Sequence, residues 1–114
     1  MDDRRRSRRI DAFDEGLQVR NGITGDKLGI VGNLSLGGMM LITQRQLEAE
    51  GILQLVVEAP VSFDLTPIAI GAKILWCTPA NSPDEYWAGL ETIDIAKSDE
   101  SVMQQLLDRL ARID

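Results

Sequence analysis

The chain has no histidine and a single cysteine among its 114 residues. The missing histidine removes the usual general base, the Ser-His triad and every histidine-based zinc site. Cys77, being alone, forms no intramolecular disulfide, which is compatible with a cytoplasmic protein. It lies in the strand-like stretch ILWCTP with no basic neighbour to stabilise a thiolate, and reads as a small buried apolar residue. Aromatic residues make up only 4% of the chain; apart from two phenylalanines, the rings are Trp76, Tyr86 and Trp87. No apolar run approaches the roughly 20 residues of a membrane-spanning helix. The charged N-terminus has no apolar stretch behind it, so neither a membrane span nor a secretory signal is expected. Carboxylates are plentiful, yet no spacing singles out an acid–base pair. The sequence gives no support for an enzyme.

What is present is an uneven distribution of charge. The net charge is −6, but RRRSRR (residues 4–9) holds five of the twelve cationic residues. Residues 1–9 therefore carry +3 and the remaining chain −9. An acidic body repels long polyanions, so the arm suits a small anionic ligand better than nucleic acid or an anionic membrane. It has no apolar area to bury against its ordering entropy. Residues 1–10 are expected to form a flexible basic arm until a ligand neutralises them, and residues 11–114 a single domain.

Along the body, GLQVRNGITGDKLGIV reads as two strands about a turn at Gly25-Asp26. NLSLGGMMLIT reads as a polar, glycine-containing break and then an apolar strand. QRQLEAEG has helix formers and ends at Gly51, which suggests a short helix or helical turn. ILQLVVEAP is a strand halted by Pro60. PIAIGAKILWCTP alternates Ile68, Ile70, Ala72, Ile74 and Trp76 on one face, a half-buried strand. YWAGLETIDI is the last strand. The period then changes: Val102, Leu106, Leu110 and Ile113 recur at helical spacing, predicting a helix over about 98–113 with Ser98 as its N-cap. Five or six short strands and one amphipathic helix point to a small antiparallel barrel with the helix over one opening or face.

NLSLGG (residues 33–38) is the second stretch that looks functional. On an extended segment Asn33 and Ser35 point the same way, and Gly37 and Gly38 permit positive φ and close approach. Taken alone it reads as a tight turn with both polar side chains bonding local backbone. Beside an arginine arm the balance moves. Arginines supply forks for phosphate, planes for stacking and paired donors for guanine. Asn33 and Ser35 suit a base edge. The two clusters together describe a site for a phosphorylated guanine ligand.

These residues resemble the PilZ domains, bacterial receptors for cyclic di-GMP. That family is marked by an RxxxR motif near the N-terminus and a D/N-x-S-x-x-G motif about two strands later. Arg5 and Arg9, followed by apolar Ile10, match the first motif; Arg4 to Arg8 is a second register. Asn33, Ser35 and Gly38 complete the second motif, while KILW and YWAGLETI resemble the family's later strands.

The resemblance implies a six-stranded antiparallel β-barrel with a C-terminal α-helix and a flexible basic N-terminal arm. It implies that Arg5 and Arg9 grip phosphates and guanine faces, that Asn33 and Ser35 read a guanine edge, and that Gly38 keeps the loop in shape. Arg4, immediately before the motif, is associated in the family with an intercalated ligand dimer. Arg6, Arg8, Gly37 and Trp76 are auxiliary candidates. For Trp76, core packing is expected, and a place bordering the ligand is the alternative. No metal or further cofactor is implied.

The implied function is a receptor whose arm orders over the barrel on binding cyclic di-GMP and signals to an unidentified protein partner. The alternatives are a non-binding PilZ adaptor acting through protein contacts and a module for oligonucleotide or anionic surfaces. Two positions depart from the family pattern. Asn33 stands where Asp would accept two guanine bonds. Thr92 stands where Phe is usual, so Ile93 or a neighbour is expected to fill that packing position.

Overall fold

The computed structural model describes residues 9–113. Among the described residues seven strands precede one α-helix, with a single 3₁₀ turn (Val61–Phe63) between the fifth and sixth strands: β1 (Ile10–Asp11), β2 (Gln18–Asn21), β3 (Lys27–Ser35), β4 (Gly38–Thr43), β5 (Ile52–Glu58), β6 (Ile68–Pro79), β7 (Tyr86–Ile95) and α1 (Lys97–Ile113). All pairings are antiparallel, in the order β1-β3-β2-β5-β6-β7-β4, and a further β3–β4 pairing closes the ring. Six strands thus form a closed barrel. The two-residue β1 is an extra strand beside the end of β3, with Ile10 opposite Leu34 and Asp11 opposite Asn33. Ile10, which the sequence groups with the arm, is therefore paired to the barrel. The rest of the arm, residues 1–8, lies outside the described residues.

Period-two alternation builds the interior. Val19, Val31, Leu41, Leu55, Val57, Ile70, Ile74 and Leu90 are buried, while the side chains that alternate with them are more exposed, and the buried neighbours Gly32, Gly71 and Gly89 have no side chain. The β2–β3 connection is organised by Asn21, whose Oδ1 accepts from the amides of Ile23 (2.8 Å) and Thr24 (3.0 Å). Gly25 then takes a φ of 82°, where the left-handed region favours glycine. Helix α1 buries Met103, Leu106, Leu107 and Leu110 and packs on β1 and β6. Arg109 ties it down: Nη1 donates to the Phe63 carbonyl at 3.0 Å, and the guanidinium lies 4.8 Å from the Phe63 ring centre.

Several local expectations are corrected. The helix starts at Lys97, and the Ala96 carbonyl accepts the Glu100 amide (2.8 Å), so Ser98 lies inside the first turn and is not its N-cap. Asn33 to Ser35 are the end of β3, not a break. Residues 44–50 form no helix. A segment this short cannot offset helix nucleation without an apolar face, and within it only Leu47 packs on the core. Bonds to β6 hold it instead: Leu47 N–H to Cys77 Sγ (3.3 Å), Glu50 N–H to the Ile74 carbonyl (2.7 Å) and Ile74 N–H to the Gly51 carbonyl (2.8 Å). Cys77 is accordingly half-buried and serves as an acceptor.

Two β-bulges explain the other differences. The β6–β7 register shifts between Ile74 and Trp76, which breaks the alternation and leaves Trp76 40% exposed. Trp76 is not a core residue. A second shift, between Gly71 and Ala72, leaves Ile93 without an opposite partner and 48% exposed. Ile93 therefore does not fill the family's packing position; Ile95, further along β7, rests against the core.

Candidate ligand-binding face

Asn33 and Ser35 straddle buried Leu34 and project from the outer side of β3. Their environments differ. The Ser35 hydroxyl is buried and donates to the Gly38 carbonyl (3.3 Å), clasping the β3–β4 hairpin. Asn33 turns away from its own backbone. Its Oδ1 accepts from Arg9 Nη1 at 3.0 Å, and its Nδ2 faces Met40 Sδ at 4.0 Å. Two clusters 24 residues apart in sequence are thus joined by one side-chain hydrogen bond. Arg4, Arg5, Arg6 and Arg8 lie outside the described residues.

The glycines act differently from expectation. Positive φ is found at Gly16 and Gly25, but at neither Gly37 nor Gly38. At Gly38 the constraint is space, because a Cβ there would overlap the carbonyl oxygen of Leu90 on β7. The Gly37 carbonyl accepts the Thr92 amide at 2.9 Å, anchoring the hairpin tip to the same strand.

Strand register extends the face sideways. Asn33 pairs with Met40, Met40 with Gly89, and Gly89 with Trp76, a row that crosses β3, β4, β7 and β6. Gly89 has no side chain, and the Trp76 ring lies over it so closely that a Cβ would overlap the indole. The neighbouring row places Ile42 opposite Trp87, and Phe13 meets Trp87 edge-on with centroids 6.2 Å apart. The face therefore offers an exposed indole for stacking, a soft thioether, a carboxamide for a base edge and a guanidinium beside it. Among the described residues no group of three or more His, Cys, Asp or Glu is placed to hold a metal. None of the described helices is long and apolar enough to cross a membrane.

The sequence names Trp87 only as one of three available rings, and does not single out Met40, Gly89 or Phe13. Met40 carried a signal, since it alternates outward between buried Met39 and Leu41. Gly89 did not, because its contact with Trp76 depends on the β6 bulge.

The PilZ domain family model matches residues 3–109. The chain belongs to this family. No curated protein sequence matches it. Among solved structures it is similar to the PilZ domain with c-di-GMP of YcgR from Escherichia coli, at 18% identity and a TM-score of 0.73, covering 96% of this chain and 92% of that one. It is also similar to the inhibitor of motility MotI/DgrA of Bacillus subtilis (20% identity, TM-score 0.71, 91% and 49% covered). A third is the MrkH–c-di-GMP complex of K. pneumonia (18% identity, TM-score 0.72, 96% and 53% covered). The chain thus spans about half the length of the MotI/DgrA and MrkH chains. At these identities the likeness shows a shared fold. On the outside of this PilZ barrel, Arg9 meets Asn33 beside the β3–β4 hairpin.

Proposed function

We propose that this PilZ domain is a cyclic di-GMP receptor and that the outer face around Asn33 is its ligand site. The observation that carries the reading is the Arg9–Asn33 hydrogen bond, which joins the arm motif to the hairpin motif. Similarity to PilZ structures whose ligand is c-di-GMP supports it. Arg9, with Arg5 upstream, supplies charge and donors to phosphate and guanine. Asn33 reads a guanine edge, and Trp76 stacks beside it. Ser35 and Gly38 hold the hairpin that presents Asn33.

Arg4 extends the charge toward a second, intercalated ligand, whose phosphates bring the total to four negative charges. Ordering of the arm over ligand and barrel makes a composite surface for a downstream protein, and that surface is the signal. The role is recognition rather than catalysis.

Calorimetric titration with cyclic di-GMP tests this, alongside Arg5→Ala, Arg9→Ala and Asn33→Ala. Saturable binding that all three variants weaken sustains the receptor, and the stoichiometry separates one ligand from two. No heat and no melting shift from folded protein would leave an adaptor that acts through protein contacts alone.

A further inference from the structure

Away from Asn33, at the other end of the barrel, a cavity of about 590 Å³ opens where β3 and β5 begin and β4 ends. The segment 44–48 and Gly51 form one wall. Helix α1 covers the end near β1, so this mouth is the one the chain leaves uncovered among the described residues. Its floor is aliphatic, from Leu28, Leu47, Leu53 and Ile74 against the core, with Ile30 and Ile42 reaching it from the outer side; Gln44 and Gln46 join the polar wall, and no aromatic side chain lines it.

That lining has consequences for what fits. A cavity of this size lies within the roughly 300–1,000 Å³ typical of small-molecule sites. A flat ring would find nothing to stack on, whereas a flexible alkyl chain meets branched aliphatic groups along its length. Peptide modes fit poorly. The closed ring leaves no free strand edge here for β-addition, and a proline-rich segment needs an aromatic groove.

The rim selects the head group. Lys27 precedes Gly29 by two residues on β3, and Arg45 follows Thr43 by two after β4; Gly29 and Thr43 are paired. The two cations therefore come from adjacent strands. Both are exposed, and the ion pairs among the described residues, Arg20–Glu58 and Lys73–Glu50, involve neither. Glu48 and Glu85 also reach the lining, from the loop and from the residue before β7. With Lys27 and Arg45 they make the rim neutral overall, which disfavours a multiply charged anion; a single carboxylate needs only the two cations that the Gly29–Thr43 pairing brings to the same side.

We propose that this mouth is a second ligand site, taking a single-chain anionic amphiphile of the fatty-acid class. The alkyl tail lies against the aliphatic floor and the carboxylate meets Lys27 and Arg45. The proposal does not rest on the cyclic di-GMP reading.

The test is methyl-resolved NMR titration with straight-chain carboxylates of increasing length, and with alkyltrimethylammonium ions of matched length, all below micelle-forming concentrations. Shifts are expected at Leu28, Leu47, Leu53 and Ile74, with affinity rising about tenfold for every two methylenes until the cavity is full. The double variant Lys27→Glu/Arg45→Glu, on the surface and remote from Asn33, should weaken carboxylate binding about tenfold or more and leave cyclic di-GMP titration unchanged. Affinity that ignores chain length, shifts scattered over the barrel or centred on Trp76, equal binding of both head groups, or no effect of the double variant would each overturn the proposal.

Discussion

Arg9 Nη1 lies 3.0 Å from Asn33 Oδ1, so the carboxamide oxygen available to a ligand is already engaged by the arginine beside it. That oxygen keeps one further lone pair, and the amide nitrogen can only donate. A carboxylate at position 33 would have acceptor capacity for Arg9 and for two guanine N–H groups at once. Asn33→Asp is therefore expected to tighten cyclic di-GMP binding by about tenfold, the scale of a charge-assisted bond gained. Calorimetry checks it. Unchanged or weaker binding would mean that Arg9 has to release residue 33 before the ligand enters.

The Trp76 ring covers the backbone of Gly89 and remains 40% exposed, an arrangement that leaves one face for a second plane to stack on. Trp76→Ala should lower cyclic di-GMP affinity about tenfold or more, since stacking one base on an aromatic contributes roughly 1–3 kcal/mol. Trp76→Phe should recover part of it. The barrel should melt within a few degrees of the parent, because the ring is outside the core. If affinity were unchanged while stability fell, Trp76 would be a structural cover for Gly89 and nothing more.

The contrast between Trp76 and its strand neighbours shows what sequence alone could tell. Ile68, Ile70, Ala72 and Ile74 alternate inward as their spacing implies, because period two is a local property of an extended chain. Trp76 continues the same spacing yet faces outward. The bulge that turns it depends on pairing with β7, a partner remote in sequence, and leaves no local mark. The helix was legible for the same reason as the strands, through its apolar stripe. Residues 44–50 were not, because helix-forming side chains were outweighed by bonds to β6 that no local pattern encodes. Asn33, Ser35 and Gly38 stood out as a motif, but the partners Met40 and Gly89 come from register. Gly38 was legible as a required glycine, while its physical reason, crowding by Leu90 on β7, was not.

That crowding makes its own prediction. The atom facing Gly38 is a backbone carbonyl within a paired strand and cannot swing aside as a side-chain tip would. Gly38→Ala should therefore push β4 from β7 and destabilise the barrel by roughly 1–3 kcal/mol, a fall in Tm on the order of 10 °C. Differential scanning calorimetry measures it. A variant as stable as the parent would show that the hairpin has slack, and Gly38 would then have to be explained by the ligand.

Leu106 is fully buried in the stripe by which α1 covers its end of the barrel, among Met103, Leu107 and Leu110. Leu106→Ala removes three carbons where neighbours on a closed barrel have little freedom to collapse, so roughly 2–5 kcal/mol of stability should be lost. Gln105→Ala, one residue away on the exposed side, should change it by less than about 0.5 kcal/mol. Urea denaturation of both variants gives the comparison. Because α1 packs on β1 and β6 rather than on the β3–β4 hairpin, the Leu106 variant should still bind cyclic di-GMP with parental affinity at temperatures where it remains folded. Loss of binding from a fully folded Leu106→Ala sample would instead make the helix part of the recognition machinery, acting through β1 and the Arg9 that precedes it.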